Sequence, residues 1–123
     1  MNIKKAKNFS KRGLPAEIKT AIKAALAKKA EEIEVLDLRD AASFTDFFVI
    51  LNGNSARQNA ALSDAIAREL KTGGVRLLGV EGASYGEWIL MDYGFFVVHV
   101  FSKQARDYYS LDKLWGDTAK LTY

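Results

Sequence analysis

Residues 43–58 read SFTDFFVILNGNSARQ, and this stretch decides the fold. Its first half contains an unbroken apolar run, residues 47–51, and a short run of aromatic and β-branched residues between turn formers is typical of a strand buried on both faces. Gly53 ends the run, and Ser55 followed three residues later by Gln58 is the capping box of a helix N-terminus. The sequence therefore predicts a buried strand, a glycine turn and a capped helix in succession.

The segments before and after this unit predict further elements around it. A helix begins at Pro15 and presents Ile18, Ile22, Ala25 and Leu26 on one face. The capped helix continues to about Lys71, and we expect single strands in the flanking segments, residues 33–38 and 75–80.

The C-terminal half predicts an antiparallel hairpin and two short helical segments. Strands at 88–91 and 95–101 are separated by only three residues, a spacing typical of a hairpin. Ser102 caps a short helix, and a last helical turn carries Leu111, Leu114 and Trp115. The predicted fold class is α/β, with a mixed sheet of about five strands and helices packed on it.

Length and composition indicate one domain in a cytoplasmic protein. The chain has 123 residues, no cysteine and no apolar run long enough for a membrane span. Residues 1–14 contain five basic and no acidic residues, whereas residues 15–123 contain thirteen basic and fifteen acidic residues. We expect a basic, flexible tail at 1–14 and a single domain at 15–123. The tail could serve an RNA-binding module, but the near-neutral remainder predicts neither a specific nucleic-acid contact nor a membrane partner.

Short motifs along most of the chain resemble those of one protein family, the ribosomal silencing factors, also called Iojap-like. The matching residues follow the family's order: KA at 29–30, VLDL at 35–38, SFTDFFVI at 43–50, GNS at 53–55, RQ at 57–58, EG at 81–82, WILMDYG at 88–94, VVHVF at 97–101, Arg106, Tyr109, Leu111 and LWGD at 114–117. The resemblance covers nearly everything from about Ala21 to Asp117, and the basic tail departs from a minimal family member.

The resemblance implies a protein that binds the large ribosomal subunit through the subunit's fourteenth protein. Binding there blocks joining of the small subunit and represses translation under nutrient limitation. The family's fold is similar to a nucleotidyltransferase core without the catalytic carboxylates, and its members are often dimeric in isolation. A homodimer of the free protein is therefore also expected.

The alternative function is a nucleotidyltransferase-like enzyme that acts on a nucleotide or on RNA. Such enzymes place two carboxylates two residues apart on the strand after the glycine turn, where they hold Mg²⁺, but residues 75–80 contain no acid. Asp37, Asp46 and Asp92 fall at strand ends, where acids are commonly solvated caps. His99 is the only histidine, too few for a zinc site in a chain without cysteine. We therefore predict no catalytic residue, no metal and no cofactor.

The candidate partner-binding residues lie on the hairpin and in the C-terminal segment. Alternation along residues 88–92 places Trp88 and Leu90 on one face of the sheet and Ile89 and Met91 on the other. Sequence alone favours burial of Trp88, whereas the resemblance favours an exposed contact. It implies that six residues bind the ribosomal protein: Trp88, Leu90, Tyr109, Leu111, Lys113 and Trp115. Trp115 could instead anchor the last helix on the core.

Overall fold

The computed structural model describes residues 13–123 and arranges them as one mixed sheet with helices on both faces. Residues 1–12, and with them most of the predicted tail, lie outside the described residues. The elements in chain order are α1 (Ala16–Ala27), β1 (Glu31–Asp37), β2 (Phe47–Gly53), α2 (Ala56–Thr72), β3 (Gly79–Glu81), β4 (Trp88–Asp92), β5 (Phe96–Ser102), α3 (Lys103–Tyr109), α4 (Leu111–Leu114) and β6 (Ala119–Thr122).

The sheet has the strand order β3-β4-β5-β2-β1-β6, with β2 near its centre. The β2–β5 pair is parallel, from Phe47 opposite Phe96 to Gly53 opposite Ser102, and the other neighbouring pairs are antiparallel. Every residue of β2 is buried, which confirms the buried strand predicted from the apolar run. The predicted α/β class with a mixed sheet is likewise confirmed.

Two details of the predicted sheet are wrong. The described chain forms six strands rather than about five, because residues 119–122 add β6 along the edge of β1. The strand expected at 75–80 is only Gly79–Glu81, since the residues before it form an extended connection in which Val75 and Leu77 pack against the core. Both strands lie at sheet edges, where a few backbone pairs suffice and little apolar pattern is required.

One face of the sheet is covered by α1 and α2, which enclose the larger core. Leu14, just before α1, is buried there together with Ile18 and Ile22. Leu26, predicted on the same stripe, is 51% exposed, and the helix packs through its alanines instead. No helix within residues 13–123 has the length and apolar character needed to cross a membrane.

The glycine turn is held by side chains from the start of α2. Ser55 Oγ accepts from the Gln58 N–H at 3.0 Å, as the capping box predicts, and Gln58 Oε1 accepts from the Asn54 N–H at 2.6 Å. The fully buried Asn59 accepts from the Gly53 N–H at 3.0 Å and donates to the Gly86 carbonyl at 2.6 Å. A Cβ at Gly53 would lie 2.4 Å from Asn59 Oδ1, so the turn requires glycine there.

Replacing Asn59 with alanine should lower the free energy of unfolding by about 2–3 kcal/mol, because the Gly53 N–H and the Gly86 carbonyl would both lose their partner. Urea denaturation followed by circular dichroism measures the loss. Asn54→Ala is the matched control, since Asn54 is exposed and contributes only its backbone N–H to this network. A loss below about 0.5 kcal/mol in Asn59→Ala would contradict the assignment.

Candidate docking surface on the second face of the sheet

The second face of the sheet carries a smaller apolar cluster that α3 and α4 cover only in part. Its buried members come from β1, β2, β5 and α3: Leu36, Leu38, Phe48, Ile50, Val97, Phe101 and Ala105. Partly buried apolar residues pack against it, and these are Ala42, Trp88, Leu90, Leu111 and Trp115. On this face of the sheet, apolar side chains therefore remain partly exposed to solvent.

Five of the six predicted contact residues lie on this face, and Lys113 lies beside it on α4. Trp88 and Leu90 are half-buried on β4, while Ile89 and Met91 are buried on the opposite face, as the alternation predicts. The structure thus combines both sequence interpretations of Trp88: its ring packs on the cluster and part of it remains accessible. Lys113 is exposed and lines a polar pocket next to Arg106.

The orientation of Trp88 is fixed by several neighbours. Its indole N–H donates to Nδ1 of His99 at 3.0 Å. Its ring centroid lies 4.5 Å from that of Tyr109 and 5.0 Å from that of Phe101. A side chain restrained in this way loses little conformational entropy when a partner covers it, which is the property of a preorganised contact residue.

A second group of apolar side chains lies where α4 meets the loop before β2. The Trp115 ring centroid lies 6.2 Å from that of Phe48 and 6.3 Å from that of Phe44. Phe44 is 63% exposed and Leu114 on α4 is 71% exposed. Together with the first group they form what we call the docking surface: Phe44, Trp88, Leu90, Tyr109, Leu111, Leu114 and Trp115. Large exposed apolar side chains gathered on one face mark interaction sites.

Sequence reasoning did not select Phe44 or Leu114 as contact residues. Phe44 lies in a loop, where apolar periodicity makes no prediction, and Leu114 is named only in a helical turn and in a motif of the resemblance. The available signal for Phe44 was that it is a single large apolar residue within a polar loop. Its exposure in the folded chain depends on its packing beside Trp115, which is 71 residues away in the sequence.

A buried arginine anchors α3, and with it Tyr109, to the sheet. Arg106 Nη2 pairs with Glu34 Oε1 at 2.6 Å, and Nη1 donates to Asn52 Oδ1 at 3.0 Å and to the Glu32 carbonyl. The Arg106 side chain is 8% exposed. In the sequence, Arg106 is only one of the residues of the resemblance, with no function of its own indicated. Its geometry makes it the residue that positions the C-terminal half of the docking surface.

His99 lies beneath the docking surface as a neutral side chain. Burial lowers its pKa from 6.5 to about 3. The hydrogen bond from Trp88 agrees with this, because a protonated imidazole would present a hydrogen on Nδ1 to the indole N–H. His99 is thus a hydrogen-bonded residue of the sheet, and its Nδ1 is the acceptor for the Trp88 indole N–H.

The pH dependence of stability should report this buried histidine. Below pH 6.5 His99 is protonated in the unfolded chain but stays neutral in the folded protein. The free energy of unfolding therefore falls as the pH drops toward 3, by up to about 1.4 kcal/mol per pH unit. Relative to His99→Gln, the native protein should lose about 2 kcal/mol between pH 7.5 and 5, measured by urea denaturation. NMR offers a direct check on the native protein, since a His99 ring titration midpoint near 6.5 would contradict the assignment.

The candidate catalytic groups do not converge on the glycine turn. The amides of Gly53, Asn54 and Gln58 already donate to side chains of α2 or its cap. Asp37 was expected to be a solvated cap, but it is buried and paired with Arg39 at 2.7 Å, because Arg39 supplies the compensating charge at the strand end. Within residues 13–123, no three histidine, cysteine or acidic side chains are arranged to hold a metal ion.

Comparison with known proteins then shows the family. The sequence model of the family described as "Ribosomal silencing factor during starvation" matches residues 11–122. The chain belongs to the ribosomal silencing factor family. The family predicted from the sequence motifs is therefore confirmed, and its name attributes to its members a silencing role at the ribosome.

Individual members and one solved structure agree with this membership. The ribosomal silencing factor of Bacillus subtilis is 40% identical over 100 residues, which are 81% of this chain and 85% of that protein. A crystal structure of a Chromobacterium violaceum protein superposes with a TM-score of 0.79 at 39% identity, covering 81% of this chain and 83% of that one. A mouse protein named mitochondrial assembly of ribosomal large subunit protein 1 is 30% identical over 91 residues, 72% of this chain and 40% of its own length.

Proposed function

We propose that this protein silences ribosomes by binding the large subunit with the docking surface, and so prevents the small subunit from joining. The observation that carries the proposal is the partly exposed apolar face, with Phe44 and Leu114 projecting beside the restrained Trp88. Membership in the silencing factor family and the name of the mouse relative support the ribosome, and its large subunit, as the target.

The proposed partner on the subunit is its fourteenth protein, at the face that meets the small subunit. A stable contact of ordinary size buries about 800 Å² on each partner. The docking surface supplies aromatic side chains, the type enriched in energetic hot spots, and a typical interface surrounds such residues with a polar edge. Lys113, exposed at the border, fits the polar edge.

Silencing of this kind requires occupancy and no reaction. The inhibitor succeeds if its bulk overlaps the position of the small subunit, so affinity from apolar burial is sufficient. Repression during nutrient limitation follows when free large subunits are held in this state. The cytoplasm, where bacterial subunits pair, is the proposed location, and the same apolar surface is the place where two free copies would associate.

The proposal is tested by following the joining of purified large and small subunits by light scattering. Added protein should reduce the joined fraction in proportion to its occupancy of the large subunit. Leu114→Asp should abolish the effect, since it places a charge within the contact. The matched control is Leu78→Asp in the connection before β3, outside the docking surface, where the leucine is also exposed. Undiminished joining at saturating protein would overturn the proposal.

A further inference from the structure

The charges of the described chain are separated between its two layers. The helical layer, defined as residues 13–29 and 54–76, contains eight basic and three acidic residues, a net charge of +5. The remaining described residues, which form the sheet, its loops, α3 and α4, contain five basic and twelve acidic residues, a net charge of −7. The near-neutral total predicted from composition hides this separation.

The basic residues of the two layers also differ in their partners. On the sheet side, Arg39, Lys103, Arg106 and Lys120 all form ion pairs with nearby carboxylates. On the helical layer, seven basic residues make no ion pair with any residue from 13 to 123, and these are Lys23, Lys28, Lys29, Arg57, Arg68, Lys71 and Arg76. Their charge remains available to an external anion.

A groove between α1 and α2 concentrates part of this charge. Lys23 and Lys28 line it from α1 and Arg68 lines it from α2, around a volume of about 340 Å³. Thr20 and three alanines, Ala24, Ala27 and Ala65, also line it, so small side chains make up half of its lining. Glu69 is its single acidic residue.

We propose that the helical layer binds the phosphate backbone of double-helical RNA, with Lys23, Lys28 and Arg68 as contacts in the groove. Unpaired cations on one face are the electrostatic signature of a nucleic-acid surface. The choice of RNA as the polyanion rests on the proposed ribosomal function, since RNA is the polyanion of the large subunit. The docking surface then contacts protein while the opposite layer contacts RNA.

A fluorescently labelled RNA duplex of about 20 base pairs tests the proposal by anisotropy titration between 50 and 200 mM salt. Three phosphate contacts contribute about 2.7 to the logarithmic salt slope, so the native protein should lose about 40-fold more affinity over this range than Lys23→Gln/Lys28→Gln/Arg68→Gln. Glu69→Gln is the opposite control, because removing the acid should strengthen binding. These side chains are exposed and make no ion pair with any residue from 13 to 123, so the variants should keep the melting temperature of the native protein.

Two outcomes would overturn this proposal. One is an unchanged salt slope in the triple variant, on the duplex and on purified large subunits alike. The other is binding of anionic phospholipid vesicles by the native protein with no binding of the duplex. Leu114→Asp separates the two proposals: if it abolishes inhibition of subunit joining while the triple variant behaves as native, the docking surface stands and the RNA contact fails.

Discussion

Replacing Phe44 and Leu114 together with alanine should weaken binding to isolated large subunits by roughly 100-fold, about 3 kcal/mol, with the fold retained. Phe44 and Leu114 are the most exposed side chains of the docking surface, at 63% and 71% respectively. Because they are so exposed, they contribute little to the stability of the fold. Their removal therefore takes little from the core and much from a contact that covers them. Cosedimentation with large subunits at graded protein concentration measures the affinity.

A matched control separates loss of a contact from general loss of apolar surface. Leu26 and Leu78 are 51% and 58% exposed and lie outside the docking surface. Leu26→Ala/Leu78→Ala should bind within threefold of the native protein. Equal weakening in both double variants would mean that the docking surface is placed wrongly. Trp88→Ala is a less selective test, because it also leaves His99 Nδ1 without its donor.

Arg106→Ala should lower the free energy of unfolding by about 3–5 kcal/mol, a larger loss than we expect for Asn59→Ala. The change removes the closest partner of the buried Glu34 carboxylate, which keeps only Lys120 at 3.6 Å, and it removes donors from Asn52 and the Glu32 carbonyl. Urea denaturation monitored by circular dichroism and tryptophan fluorescence measures the loss. Ribosome binding should fall with it, since Tyr109 depends on the position of α3.

Two further variants define the origin of this effect. Lys103→Ala, three residues earlier on α3, removes an exposed ion pair with Glu32 and should leave the unfolding transition nearly unchanged. Arg106→Lys keeps the charge but cannot reproduce the planar set of donors, so it should lie between alanine and the native protein. Stability of Arg106→Ala close to that of Lys103→Ala would exclude the anchoring role.

The centre of the fold could be predicted from local sequence because local physics determines it. The apolar run of β2 and the Ser55–Gln58 cap are each determined by a few neighbouring residues. The short spacing of the hairpin allows only antiparallel pairing of β4 and β5. The edge strand β6 was not predicted and the edge strand β3 was predicted too long, because they are four and three residues long and acquire their conformation from the strand beside them. The predicted helix boundaries lie close to the observed ones, and the predicted packing stripe of α1 is correct except for Leu26.

The docking surface was only partly predictable, since exposure is a property of the assembled chain. Alternation placed Trp88 correctly but could not show that Tyr109 and His99 would restrain it from both sides. The distribution of charge over the surface was not predicted, for a similar reason. Composition gives the total for residues 15–123, whereas the separation into a basic and an acidic side exists only after α1 and α2 pack on one face of the sheet.

The placement of β6 beside β1 has a consequence for any shortened form of the chain. β6 covers the backbone edge of β1, and α3 and α4 lie just before it in sequence. A chain that stops before residue 119 would leave this edge of β1 open, with its backbone groups exposed to pairing with a strand of another copy. Removal of residues 119–123 is therefore expected to promote aggregation.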